Sequence, residues 1–142
     1  MARRTRPVGS EDERSDARER ALIILYEAES KSIAPSDVIA AQVLTPDALT
    51  QLLVRGVEAD GQQIDELIAD HAKGWTLQRM PTIDRNVLRI GVFELLDRPD
   101  VPIAVVIDEA VELAKRFSTD DSGRFVNGML AAIASKVRSP AN

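Results

Sequence analysis

Along almost its whole length this chain places apolar residues three and four positions apart, and no stretch alternates apolar with polar over the length of a strand. An α-helix returns to the same face about every 3.6 residues and a strand every two, so the spacing predicts helices throughout. Ser10 is positioned to cap a first helix whose opening turn, Glu11-Asp12-Glu13, suits the positive end of a helix dipole, with Ala17, Ala21, Ile24, Leu25 and Ala28 as its core stripe. Leu22 and Tyr26 lie at i, i+4 beside that stripe, which makes the apolar face broad. It serves either a wider core or a partner. Pro35 opens a short helix, and Pro46 stands at the first position of a longer one behind Thr45. That segment runs through Leu49, Leu52, Leu53, Val57, Ile64, Leu67 and Ile68, weakened but not broken by Gly56 and Gly61, until Gly74-Trp75 ends it. Pro81 separates it from a helix capped by Thr82 and carrying Ile83, Val87, Ile90 and Leu95, which ends at Arg98-Pro99. Pro102 starts another, with core positions Val106, Ala110, Leu113, Ala114 and Phe117. A polar loop, 118–123, leads to a last helix marked by Val126, Met129, Leu130, Ile133 and Val137. The expected class is all-α, a compact multi-helix domain over 11–138 with no internal repeat, a flexible basic arm at 1–10 and a frayed tail at 139–142.

Composition narrows the function. A chain of 142 residues, 44% hydrophobic and 29% charged, suits one folded domain with a sizeable core. It has no cysteine, which excludes disulfides, thiolate zinc sites, iron–sulfur clusters and cysteine nucleophiles, and fits a reducing compartment. No apolar run approaches the roughly 20 residues that span a bilayer, and no apolar stretch follows the charged N-terminus as in a secretory signal. The expected location is the cytoplasm, with no membrane contact. The net charge of −5 is unusual for a nucleic-acid binder. Only the first residues, with Arg3, Arg4 and Arg6, read as a basic arm, and the acidic body points to a basic partner.

Catalytic chemistry finds no foothold. His71 is the only histidine and sits near a helix end among charged neighbours, so neither a multi-histidine metal site nor a histidine relay can be built. The seven glycines form neither a phosphate-binding loop nor a dinucleotide fingerprint. Val105-Val106-Ile107-Asp108-Glu109 imitates the apolar run and acidic pair that hold magnesium in nucleotide hydrolases. There the run is a strand facing a Gly-rich loop with a lysine; here the pattern continues at helical spacing to Leu113 and Phe117. Asp120-Asp121-Ser122 lacks the alternating ligands and closing glutamate of a calcium loop, and reads as capping chemistry for the last helix. The chain is expected to bind rather than catalyse, with no catalytic residue, metal or cofactor.

Motifs in both halves of the chain carry a resemblance. Phe93-Glu94-Leu95-Leu96, Asp100-Val101-Pro102 and 106–115 (Val-Ile-Asp-Glu-Ala-Val-Glu-Leu-Ala-Lys), followed by 117–130 (Phe-Ser-Thr-Asp-Asp-Ser-Gly-Arg-Phe-Val-Asn-Gly-Met-Leu), resemble the signature of the NusB family. At the front, Ala17-Arg18-Glu19-Arg20-Ala21 with Leu25-Tyr26 is similar to that family's opening helix. The resemblance covers roughly residues 16 to 138 and implies a fold of two packed three-helix subdomains. It also implies transcription antitermination. Family members pair with the ribosomal protein NusE, bind the boxA element of ribosomal RNA leaders as single-stranded RNA, and join other Nus factors on RNA polymerase.

The resemblance also implies site residues. Arg14 and Arg18 correspond to the family's arginine-rich start, although Ser15 and Asp16 stand where two further arginines are expected. Asp121, Arg124 and Phe125 match its RNA-side loop and final helix start. Arg124 suits a phosphate, and Phe125 either stacks on an unpaired base or belongs to the core. Tyr26 and Asp84 match positions that face the ribosomal protein in the family, Arg89 is expected along the same surface, and Leu22 joins them through the apolar stripe it shares with Tyr26. Asp84 either offers a carboxylate to an arginine or simply serves its helix dipole. Asp121 is likewise either a cap or an acidic neighbour of the RNA.

Two rival expectations differ in class. One is the related targeting domain fused to ribosomal RNA cytosine methyltransferases, with no methyltransferase fold expected before Asn142. The other is a helical protein–protein adaptor, or a homodimer, that never touches RNA; the acidic charge and the missing arginines favour it.

Overall fold

A computed structural model describes residues 11–138; the basic arm, the Ser10 cap and the tail expected from the sequence lie outside the described residues. Among the described residues seven α-helices follow in order: α1 (Glu11–Lys31), α2 (Pro35–Ala40), α3 (Ala48–Ala59), α4 (Gly61–His71), α5 (Thr82–Asp97), α6 (Ile103–Phe117) and α7 (Asp120–Val137), with a 3-10 turn, Leu77–Arg79, ahead of α5. No strand occurs among the described residues. Helix α1 packs on α2 and α3, and α6 and α7 pack on each other and on α5, giving two three-helix groups with α4 lodged against α5 and α7. One continuous apolar cluster, from Ala21 to Ala134, runs through both groups.

Helix α5 lies at the centre. It touches α1, α3, α4, α6 and α7, and from Asn86 to Leu95 only Arg89 is not fully buried. A helix apolar nearly all round is a buried one, and the run Val87-Leu88, Ile90 to Phe93 and Leu95 has that character. Its neighbours come close because glycine lets them. A Cβ on Gly56 of α3 would fall 2.1 Å from the Phe93 ring. Beyond the end of α5, Arg138 donates to the carbonyls of Glu94, Leu95, Arg98 and Val101 at 2.5–2.9 Å. One guanidinium thereby gathers four carbonyls of the helix end and the following turn, adding a second donor at Glu94 O and Arg98 O, which already accept from the Arg98 and Val101 N–H groups.

Several local expectations need correction. The segment from Pro46 to Trp75 is two helices, not one. At Asp60 the backbone leaves helical geometry (φ −97°, ψ 14°), yet Asp60 N–H still donates to Gly56 O and Asp60 O accepts from Ile64 N–H, so the bend loses little hydrogen bonding. Thr45-Pro46 does not start α3. Asp47 is its cap, because its carboxylate accepts both the Thr50 N–H (3.2 Å) and the Thr50 hydroxyl (2.6 Å). Those bonds, with the Arg20 guanidinium, overcome the effect of burial and hold the Asp47 carboxyl below the usual range. Thr82 is the first residue of α5, not its cap. Leu52 and Phe117, expected in the core, are 49% and 38% exposed, and the Arg116 guanidinium lies over the Phe117 ring.

Two measurements check this packing. Gly56→Ala should lower the urea-unfolding free energy by roughly 1–3 kcal/mol, since the methyl group must displace Phe93. Asp97, at the end of α5, shares a hydrogen bond with Asp60; that bond, partial burial and the second negative charge push its pKa up to about 6. A carboxyl raised above its unfolded value, about 4, stabilises the fold at low pH and loses that contribution as pH rises through 6. Asp97→Asn should therefore flatten the dependence of melting temperature on pH between about 4 and 6.

Candidate nucleic-acid and partner interface

Arg18 and Arg14 share a helix face by spacing, yet the fold separates them. Arg14 is exposed on the first turns of α1. Arg18 is 1% exposed. Its Nε and Nη2 donate to the two carboxylate oxygens of Glu94 on α5 at 2.7 and 2.9 Å, and its Nη1 to Glu109 on α6 at 3.3 Å. Burial alone would lower the arginine's pKa; the bonds and charges of Glu94 and Glu109 more than offset this and raise it. The expectation that Arg18 contacts phosphate is thus corrected. Its guanidinium is occupied inside the protein, where α5 and α6 cross over α1.

The loop before α7 and its first turns bring part of the expected RNA-side set together. Thr119 is the cap, its hydroxyl accepting the Ser122 N–H at 3.0 Å. Asp121 is therefore not the cap, as the sequence had suggested, but a first-turn residue on the surface. There it pairs with Arg124 one turn on, both side chains largely exposed. Phe125 is half-buried and packed against the core. Its ring meets Trp75 edge to face, with centroids 5.1 Å apart and planes at 72°. The sequence reading took Gly74-Trp75 only as the end of a helix. The exposure of this single tryptophan was the missed signal, and it becomes visible only when α4 and α7 pack.

The expected partner face also changes membership. Tyr26 is 45% exposed, but Leu22 is 1% exposed and belongs to the core, so the Leu22–Tyr26 stripe is corrected. The exposed apolar neighbour of Tyr26 is Ile23, at 50%, one position round the helix. Val43 and Leu44, 99% and 83% exposed on the connection between α2 and α3, extend the apolar surface; Leu44 and Ile23 line one groove with Pro46. Asp84 is 2% exposed. The Ser122 hydroxyl donates to its Oδ2 at 2.8 Å, while Oδ1 is buried without a hydrogen-bond partner. The first turn of α7 sits against the first turn of α5 and closes Asp84 off, so it offers no carboxylate to a partner's arginine. Arg89 is half-buried, forked onto Asp65 at 2.9 and 3.0 Å and bonded to Glu29 at 3.1 Å. It lines a groove with Leu25, Ile33 and Arg85 but is engaged within the fold.

Val105 to Glu109 lie on helix α6, without the strand of a nucleotide site. Among the described residues no three His, Asp or Glu side chains gather as a metal site, and no helix is long and apolar enough to cross a membrane.

Comparison with known proteins agrees with this geometry. Residues 15–135 match the model of the NusB family. The transcription antitermination protein NusB of Saccharopolyspora erythraea is 54% identical over 127 residues, covering 85% of this chain and 86% of its own. That of Salinispora tropica is 50% identical, covering 85% and 94%. Among solved structures, T. maritima NusB superposes with a TM-score of 0.77 at 34% identity, covering 87% of this chain and 91% of its own. A crystal structure of antitermination factors NusB and NusE in complex with double-stranded RNA aligns with a TM-score of 0.74 at 27% identity, covering 87% and 96%.

Breaking the buried pair tests its structural role. Arg18→Ala strands Glu94 without its main partner and should cost about 3–5 kcal/mol in chemical denaturation. Any loss of RNA binding by this variant should track its unfolding and vanish at temperatures where it is fully folded.

Proposed function

Because this chain belongs to the NusB family, we propose that it is a transcription antitermination factor, a non-catalytic adaptor of the cytoplasm. It pairs with the ribosomal protein NusE and binds boxA-type single-stranded RNA of ribosomal RNA leaders, and the complex joins other Nus factors on RNA polymerase. The observation that carries this reading is the match over residues 15–135, with relatives of half-identical sequence named for antitermination. A solved relative held together with NusE and RNA supports the choice of partners.

The residues proposed for RNA are Arg14, Asp121, Arg124 and Phe125. Those proposed for the ribosomal protein are Tyr26, with Ile23 and the Val43-Leu44 connection taking the place of the buried Leu22. With Arg18 engaged internally, one of the two arginines matched to the family's arginine-rich start is withdrawn from phosphate, so RNA affinity should depend strongly on a basic partner. An acidic body of net charge −5 suits such a partner. The same burial favours the second reading, a helical adaptor without RNA contact. Salt-dependent binding to boxA-type RNA, measured with and without NusE, separates the two. The first reading expects tight binding with NusE and a salt slope exceeding that of NusE alone. RNA affinity unchanged by this chain supports the adaptor.

Asp121→Asn refines the test. The carboxylate repels phosphate and pairs with Arg124, so its neutral amide should tighten RNA binding, most visibly at low salt. Since Thr119 supplies the cap, the variant should lose no more than roughly 1 kcal/mol of stability from the weaker dipole interaction. Unchanged or weaker binding by the folded variant removes this loop from the RNA surface.

A further inference from the structure

Trp75 is the chain's only tryptophan and is 38% exposed, on a connection rather than within a helix. Leaving so large a ring in water forfeits burial that aromatic side chains usually obtain. The backbone around it is held in place. Gly74 adopts a left-handed conformation (φ 73°), and Trp75 N–H donates to Ala72 O at 3.1 Å. Arg85 of α5 donates to the carbonyls of Leu77 and Met80 at 2.8 Å each, tying the following 3-10 turn to the core. The ring is thus presented from a fixed connection, with Phe125 of α7 against it edge to face.

Resting on the RNA-binding reading above, we propose that Trp75 is an RNA contact, forming with Phe125 a two-ring platform on which an unpaired base stacks. In an edge-to-face pair, the ring that meets its neighbour edge-on leaves both of its own faces unused by that contact. A base, whatever its identity, can cover such a face. Charge points the same way. Arg124 lies next to Phe125 in α7, with only an exposed ion pair to Asp121 to give up. Lys73 and Arg79, both exposed, flank Trp75 in the chain. Aromatic rings accompanied by cations are what single-stranded nucleic acid requires. A protein partner is the weaker occupant. The exposed residues around Trp75 in the chain, Lys73, Thr76, Gln78 and Arg79, are polar, whereas the broad exposed apolar surface lies elsewhere, at Ile23, Tyr26, Val43 and Leu44.

The single tryptophan supplies its own readout. Emission from Trp75 would be followed while boxA-type single-stranded RNA, inorganic polyphosphate or NusE is added, with Trp75→Phe as the background. RNA should quench the emission in step with binding of a fluorescently labelled oligonucleotide; polyphosphate, which has charge but no bases, should not. Trp75→Ala should weaken RNA binding roughly 5- to 100-fold, with Trp75→Phe between it and wild type because a smaller ring still stacks. Wild-type RNA binding without quenching overturns the assignment of Trp75 and leaves the RNA-binding reading intact. Quenching by NusE alone, with RNA adding nothing, overturns it in favour of a protein contact. Absence of RNA binding with and without NusE overturns both. Because quenching is read in the wild-type protein, the test stands even if Trp75→Ala fails to fold.

Discussion

Arg18 enters the protein from α1 and ends between two carboxylates that belong to the other half of the chain. Glu94 takes two of its nitrogens and Glu109 a third, while Ser15 and Arg98 bond to the same carboxylates. Removing these charges from water is costly, and only near-complete hydrogen bonding offsets it. The cluster therefore constrains geometry more than it adds stability. A helix turned by one residue rotates its side chains by roughly 100°, which would pull Arg18 out of the fork. The rotation of α1 against α5 and α6 is thereby set by one guanidinium, and the two three-helix groups are joined by charge as well as by their shared apolar core.

Arginine use inside the fold shapes the surface outside it. Arg18 binds Glu94, Arg85 and Arg89 bind Glu29 and Asp65, and Arg138 covers the end of α5. Each is a planar donor matched to carboxylates or carbonyls, a role for which lysine is poorly suited. A chain already acidic in sum has thus turned several of its cations inward. Of the three arginines that the family resemblance assigns to RNA, only Arg14 and Arg124 remain exposed. Aromatic stacking then matters more, since it adds affinity for nucleic acid without adding charge.

The platform made by Trp75 and Phe125 shows how such a site is assembled. The two residues are 50 positions apart in the sequence, on segments whose local signals, a glycine after a helix and a capped helix start, concern only their own backbones. Packing of α4 against α7 brings the rings to 5.1 Å. The same docking of α7 shuts Asp84 away beneath Ser122, so one contact both exposes an aromatic pair and hides an acid.

The periodicity of apolar residues by itself determined that the chain is helical and roughly where each helix lies, and a motif string from Asp108 to Leu130 pointed to the family. Ala17, Ala21, Leu53, Ile64, Val106 and Leu130 were identifiable as core because each repeats within its own helix at the spacing of one face. The same logic failed wherever a neighbouring helix decides. Arg18 reads as a surface cation until α5 and α6 supply carboxylates above it, and Leu22 reads as marginal until its helix is wedged between others. Tyr26 stays outside although it lies on the same stripe as Leu22, and Asp84 is sealed by a turn 38 residues away. Helical spacing reports which residues share a face; only the tertiary structure decides how wide a sector of that face its neighbours cover, because coverage depends on the crossing of whole helices rather than on any residue's own chemistry.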